Sequence, residues 1–207
     1  MEISGRLAIS AYFLLFALVH SLLADPAIKS RARNAIGPAF ERWQRLAYNL
    51  LALIMILPFL FILLLLPDKI LYQILAPWNY LMAAGQLLLI AAMLMTLRQT
   101  GAASFLGLSQ IGNRGKTDDG RSLVTTGFYS HTRNPLFLFA VLILWISPIM
   151  TGSLLAFNIL ATIYFYIGAR HEERSLKAEY GEAYEEYKRR VPMFLPRLRS
   201  GKQINND

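Results

Sequence analysis

Five apolar stretches divide the chain, separated by polar segments of unequal length. They run from Leu7 to Leu23, from Leu46 to Leu66 with Pro58 inside, from about Tyr80 to Leu97, from Pro135 to Met150 and from Ser153 to Ile167. A membrane helix needs about 17–25 apolar residues; the first three stretches reach that length and the last two fall slightly short. Only Thr151 and Gly152 separate those two, so the pattern predicts a tight helical hairpin. Apolar side chains lie all round each predicted helix, as burial in lipid requires, and lipid leaves helices as the default because backbone groups must be satisfied internally. The expected fold is all-α, an integral membrane bundle of about five transmembrane helices with a cytoplasmic C-terminal helix. The first stretch reads as a span and not as a cleaved leader, since Leu22 is a poor small residue before Ala24 and Pro26 follows.

Composition agrees with the pattern. The chain has 207 residues, 55% hydrophobic and 16% charged, against roughly 45–50% and 25% for a soluble domain. The formal net charge of +8 raises the question of nucleic acid, and the placement of the charge answers it. Nineteen of the twenty-one Lys and Arg residues fall in alternate connections: Lys29 to Arg45, Arg98 to Arg133, and the tail beyond Ile167. Arg6 and Lys69 alone fall on the other side. The positive-inside rule then gives an outside N-terminus and a cytoplasmic C-terminus in the inner membrane. The charge suits an anionic membrane surface, and no nucleic-acid partner is needed to explain it. The absence of cysteine removes disulfides, thiolate metal sites and cysteine nucleophiles together.

Two polar regions are too long to be simple connectors. Residues 98–134 carry Gly101, Gly107, Gly112, Gly115, Gly120 and Gly127, which permit close backbone approach to a ligand. The segment from about Ala169 to Arg190 reads as a solvated or interfacial helix, with pairs such as Glu185 with Arg189 and Glu186 with Arg190 at helical spacing. Gly115-Lys116-Thr117 lacks the upstream glycine and strand of a phosphate loop, and Asp118-Asp119-Gly120 is read as a turn. His20, His131 and His171 show no paired ligand spacing, so no metal is expected; His20 reads as a packed or interfacial residue. What remains lies at the cytoplasmic ends of the last two stretches. Asn134-Pro135 suits an N-cap and first-turn pair, Arg133 suits a snorkelling cation, and Tyr184 and Tyr187 suit interfacial anchors. A short hairpin nevertheless brings Arg133-Asn134 and Glu172-Glu173 to one membrane face, and an arginine with two acids at an apolar boundary is a site hypothesis.

Gly127-Phe128-Tyr129, Arg133-Asn134-Pro135, Glu172-Glu173, Leu176, Tyr180-Gly181, Tyr184, Tyr187 and Val191-Pro192 together resemble the C-terminal signature of the isoprenylcysteine carboxyl methyltransferase and phospholipid methyltransferase superfamily. His20-Ser21, Lys29, Arg31, Arg45 and Tyr48-Asn49 are similar to the NnrU-like and methanethiol S-methyltransferase branch. The resemblance implies an integral-membrane methyltransferase using S-adenosylmethionine, with residues 1–97 an N-terminal three-span region and 98–207 a cofactor-binding region, one structural domain overall. It implies a cofactor pocket formed by Leu123, Val124, Gly127, Tyr129, Asn134 and Pro135, with Glu172 beside the cationic groups and Tyr184 and Tyr187 around the adenosine. Arg133 and one of the two glutamates, Glu173 in the first instance with Glu172 as the alternative, are the implied catalytic pair. A permanently charged arginine acts as an anchor, and a glutamate acts as a base only where burial raises its pKa. The implied acceptor is a membrane lipid or other lipophilic molecule, or a small thiol, carboxylate or amine. The alternative is a non-catalytic membrane protein that binds lipid or assists a partner on the same fold; the intact Arg133 and acid pair argue against it. A transporter is disfavoured by the lack of mid-span charges and of an internal repeat.

Overall fold

The computed structural model describes residues 2–37, 39–65, 68–101 and 122–195. Gly107, Gly112, Gly115 and Gly120, the Gly115-Lys116-Thr117 and Asp118-Asp119-Gly120 stretches, and the basic end of the tail lie outside the described residues. The elements in chain order are α1 (Glu2–Ala24), α2 (Pro26–Ile36), α3 (Ala39–Leu65), β1 (Ile70–Gln73), α4 (Trp78–Gln99), a 3-10 turn (Gly127–Ser130), α5 (Pro135–Trp145), β2 (Ile149–Thr151), α6 (Gly152–Tyr180) and α7 (Glu182–Arg190). Helices α1, α3, α4 and α6 are long and apolar enough to cross a membrane. In the bundle α1 packs on α3 and α6, and α5 packs between α4 and α6. The centre is aromatic: Phe13 meets Phe157 and Tyr164 edge-on at 5.7 and 6.0 Å between ring centroids, an arrangement that suits the ring quadrupoles. The short α2 was not anticipated from the pattern. It starts because Asp25 Oδ1 accepts hydrogen bonds from the Ala27 and Ile28 amides, with Pro26 at the first position.

The fourth apolar stretch departs from its expected form. Instead of a helix from Pro135 to Met150, α5 ends at Trp145, after roughly 16 Å of rise. The chain then bends through Ile146 to Pro148 into β2, which pairs antiparallel with β1, Ile70 opposite Thr151 and Gln73 opposite Ile149. The predicted tight hairpin at Thr151-Gly152 is therefore a strand end running into α6. Ending a helix inside an apolar bundle strands carbonyls that lipid cannot satisfy. Two side chains answer this: Gln86 Nε2 donates to the Ile143 carbonyl at 3.1 Å, and Asn158 Nδ2 donates to the Leu144 carbonyl at 2.9 Å. Asn158, fully buried in α6, is thus the partner that makes the early stop tolerable.

The second departure lies downstream. Helix α6 runs unbroken from Gly152 to Tyr180, so the fifth apolar stretch and the first part of the predicted cytoplasmic helix are one element. The break falls at Gly181, whose φ of +55° is the left-handed region that favours glycine. Turning there changes the charge pairs: Glu185 meets Lys177 of α6 at 2.6 Å and Arg189 meets Glu182 at 2.8 Å, while Glu186 keeps Arg190 at 3.4 Å. At the opposite end of the bundle Asp68 accepts from the Ser153 amide at the start of α6 and lies 3.8 Å from Arg6 Nε. Burial works against the Asp68 carboxylate, but hydrogen bonds from Ser153, Thr151 and Lys69 prevail and hold its pKa below the ordinary value. The connections after α3 and after α5 therefore share one end, and the residues around Arg133 occupy the other.

Replacing Asn158 by leucine keeps the branched outline of the side chain and removes the donor to Leu144. The variant is expected to lose about 1–3 kcal/mol, the usual penalty of a buried unpaired polar group, read as a lowered melting temperature in detergent. A melting temperature equal to that of the parent would mean that the carbonyl finds another donor.

Candidate active site

Glu172 and Glu173 are neighbours on α6, and a helix turns about 100° per residue, so they face different ways. Glu173 points inward. Its Oε1 accepts from Arg133 Nε at 2.7 Å and from Asn134 Nδ2 at 3.2 Å, and both side chains of the Arg133–Glu173 pair are 8% exposed. The guanidinium also donates through its second nitrogen to the Lys188 and Val191 carbonyls at 3.2 and 2.6 Å. The Arg133 amide reaches the Pro192 carbonyl at 2.9 Å, and Thr132 Oγ1 reaches that of Met193 at 2.9 Å. The segment before α5 thus ties down the chain that leaves α7. Asn134 stands at the N-cap position of α5 but makes no cap hydrogen bond; its amide serves Glu173 and the Met193 carbonyl instead.

Glu172 faces a cavity of about 720 Å³, within the range of small-molecule sites. Leu123, Val124 and Tyr129 form one wall with Arg133; Glu172, Leu176, Glu179 and Tyr180 of α6 form a second, joined by Tyr187 of α7. Lys29 of α2 and Tyr48 and Asn49 of α3 close the third side, and Gln99, Thr100 and Gly101 at the end of α4 a fourth. Tyr187 donates its hydroxyl to the Tyr129 carbonyl at 2.6 Å, which locks α7 onto the wall. Burial, and then the Glu172 charge, push the Tyr129 phenol pKa well up; burial, and then Tyr129 and Tyr184, do the same to Tyr187. Both stay protonated donors at neutral pH.

Of the residues singled out in the sequence, Leu123, Val124, Tyr129, Arg133, Glu172 and Tyr187 line this cavity. Gly127, Asn134, Pro135, Glu173 and Tyr184 stand behind it. Gly127, with φ +62°, makes room for a side chain: a Cβ there would overlap the Gln99 amide, one of the cavity residues. Tyr184 is 1% exposed and packs on Tyr187 and Val191. Leu176 and Tyr180 were visible at i+4 and i+8 from Glu172, spacings that continue one helix ridge. Gln99, Thr100 and Glu179 carried no signal. Among the described residues no group of three or more His, Asp or Glu gathers as a metal site.

Two outcomes follow from the buried pair. Glu173→Ala leaves a buried guanidinium unpaired and is expected to destabilise the protein by about 3–5 kcal/mol, whereas Glu172→Ala, on the cavity wall, leaves the melting temperature nearly unchanged; equal effects would refute the inward–outward division. Burial, and then the Glu173 charge, raise the Tyr184 pKa to about 12. A pKa raised on folding stabilises fully below the unfolded value of about 10 and is lost as pH climbs through the folded value. Stability should therefore fall between about pH 10 and 12, and less steeply in Tyr184→Phe, as followed by circular dichroism.

The phospholipid methyltransferase family model matches residues 78–183, from α4 through the first residues of α7. Methanethiol S-methyltransferase 2 of Bradyrhizobium diazoefficiens is 42% identical over 85 residues, 41% of this chain and 33% of that protein. The methanethiol S-methyltransferase of Crocosphaera subtropica is 43% identical over 72 residues, 35% of this chain and 28% of that protein. That of Mycobacterium tuberculosis is 29% identical over 193 residues, 87% of this chain and 74% of that protein. The matched stretch thus spans a third or less of the first two relatives, at 33% and 28%, and most of the third, at 74%. No solved structure matches the chain. With the family match spanning half of the sequence and the cavity lining apart from Lys29, Tyr48, Asn49 and Tyr187, the chain belongs to the phospholipid methyltransferase family.

Proposed function

We propose that the protein is an integral-membrane methyltransferase that uses S-adenosylmethionine to methylate a small thiol. The observation that carries this reading is the cavity itself, which gathers two acids, an arginine and four tyrosines from segments far apart in the chain at one end of an apolar bundle. Its walls fit the donor's chemistry. Glu172 and Glu179 suit a sulfonium and an ammonium; the Tyr129, Tyr180 and Tyr187 rings and the Leu123–Val124 edge suit an adenine; Arg133 suits a carboxylate. When bound, the donor supplies an electrophilic methyl group. The protein's part is to hold the two reactants in line, where effective molarities are large. Arg133 holds a fixed positive charge at the wall because Glu173 and two carbonyls grip it; Glu173, behind the wall, is its positioning residue. The names of the relatives favour a thiol among the acceptors considered. The Lys and Arg distribution supports a cytoplasmic opening, an outside N-terminus and the inner membrane as location.

Calorimetry in detergent tests the donor site. S-adenosylmethionine is expected to bind, and Glu172→Gln to weaken it on the order of 10-fold to 100-fold, the loss of one charge-assisted contact, with the melting temperature unchanged. Absence of binding to folded protein overturns the reading. Transfer of a radiolabelled methyl group to methanethiol, and not to a membrane lipid extract, is the expected acceptor result; transfer to lipid alone would replace the thiol assignment, and transfer to nothing would favour a non-catalytic protein.

A further inference from the structure

A thiol attacks as its thiolate, so thiol methylation needs a group to take the proton. Arg133 stays protonated, Glu173 is engaged by Arg133 and Asn134 away from the cavity, and Glu172, which lines the cavity, is the group assigned above to the donor's cationic centres. The third side of the cavity offers another group. Tyr48 of α3 lines it, and the Tyr48 hydroxyl lies 2.9 Å from His20 Nδ1 on α1. The same nitrogen is 2.9 Å from the hydroxyl of Tyr164 on α6, which in turn is 3.2 Å from Ser21 Oγ. Tyr164 stands eight residues before Glu172 on α6, about 12 Å further along the helix, so the cluster lies on the membrane side of the acid. An ionisable residue within a spanning helix, held by polar partners from two other helices, is a functional feature by default. Imidazole is also the side chain whose ordinary pKa lies closest to neutrality.

Building on the methyltransferase reading above, we propose that His20 accepts the acceptor's proton through Tyr48, and that the floor between α1, α3 and α6 is the thiol subsite. The S–H proton passes to the Tyr48 oxygen as the Tyr48 proton passes to His20 Nδ1. The sulfur lone pair forms the new S–CH3 bond, and the bond between methyl and donor sulfur breaks with its electron pair remaining on that sulfur. The products are a thioether, the neutral donor remnant and an imidazolium. The site suits both states of the ring. Neutral Nδ1 accepts from a tyrosine hydroxyl, and protonated Nδ1–H donates to a tyrosine oxygen. The titratable and charged groups around it are Tyr48 from α3, Tyr164 from α6 and Lys29 from α2, whose Nζ stands 5.9 Å from the Tyr48 ring centroid; Arg133 and Glu172 face it across the cavity. Phe16 stacks on the His20 ring at 5.3 Å, so the surroundings favour a small apolar substituent on sulfur.

The test compares two thiols on the full-length protein in detergent: methanethiol, and 2,2,2-trifluoroethanethiol at a mildly alkaline pH where it is already ionised. His20→Asn and Tyr48→Phe are each expected to lose on the order of 10²-fold in methanethiol methylation, the scale of general-base catalysis. Both should keep most of the rate with the ionised thiol, and S-adenosylhomocysteine binding, followed by calorimetry, should be unchanged. Tyr48→Phe removes one oxygen and keeps the ring, so it serves where His20→Asn disturbs packing. Equal losses on both thiols, or no loss on either, overturn the His20 assignment while leaving the methyltransferase reading in place. A parent protein that methylates neither thiol overturns both.

Discussion

The Arg133–Glu173 pair is the contact on which the cavity end of the molecule depends. It lies where the segment leading into α5, the end of α6 and the exit from α7 meet, and each of those pieces is held through it. A buried ion pair is by itself weak evidence for stability, since desolvation offsets much of the Coulomb attraction. Its value here is geometric. The planar guanidinium presents donors at fixed angles, and with Nε committed to Glu173, the next nitrogen can reach the Lys188 carbonyl in α7 and the Val191 carbonyl just beyond it only if the end of α7 lies in one place. Tyr187 is thereby set against Tyr129 and joins the cavity lining. A lysine would keep the charge and lose the fork.

The same economy governs the apolar part of the bundle. A helix of full length from Pro135 would have needed no polar partners in lipid. The observed α5 is short, its final carbonyls satisfied by Gln86 and Asn158, and the strand that follows clasps β1. From Asn134 beside Glu173 to Thr151 at the start of α6, the chain must match about 31 Å of α6, taking 1.5 Å per residue. Roughly 16 Å of helix leaves about 15 Å for residues 146–151, a distance that six non-helical residues ending in β2 can cover at up to about 3.3 Å each, whereas a helix throughout would fall short. The extended strand thus lets a short segment traverse the whole bundle, with the start of α5 held beside the site and the start of α6 at the far end.

How much of this was legible depended on the range of the interaction. Apolar length located α1, α3 and α4 closely, because burial in lipid is a property of each segment alone. It misread residues 146–151, because extended structure there depends on β1, some eighty residues upstream, and on a donor at Asn158. The break at Gly181 was hidden for a related reason: Ala169 to Arg190 has helix-forming composition, and only the docking of α7 against Tyr129 calls for the left-handed turn. At the site, the motif located Arg133 and both acids, but helical rotation decided which acid faces the cavity. Gly127 looked like a ligand-approach glycine and proves to accommodate Gln99. His20, Lys29, Tyr48 and Asn49 were visible as a pattern and silent about placement, since their meaning arises from the packing of α1 and α3 against α6.

That packing gives the site its orientation relative to the membrane. On the proposed reading a charged methyl donor comes from water to the groups assigned to it, Glu172, Glu179 and Arg133, which line the cavity. A small thiol is largely apolar in its neutral form and partitions toward lipid. On that reading the two reactants meet where the cavity gives way to the bundle, and the neutral thiol becomes an anion only at the point where a proton acceptor and a cationic donor are both at hand. Separating the proton acceptor from the acids of the cavity has a further effect. A carboxylate beside the incoming thiol would raise its pKa and oppose ionisation, whereas a neutral imidazole reached through a hydroxyl takes the proton without adding negative charge to the site.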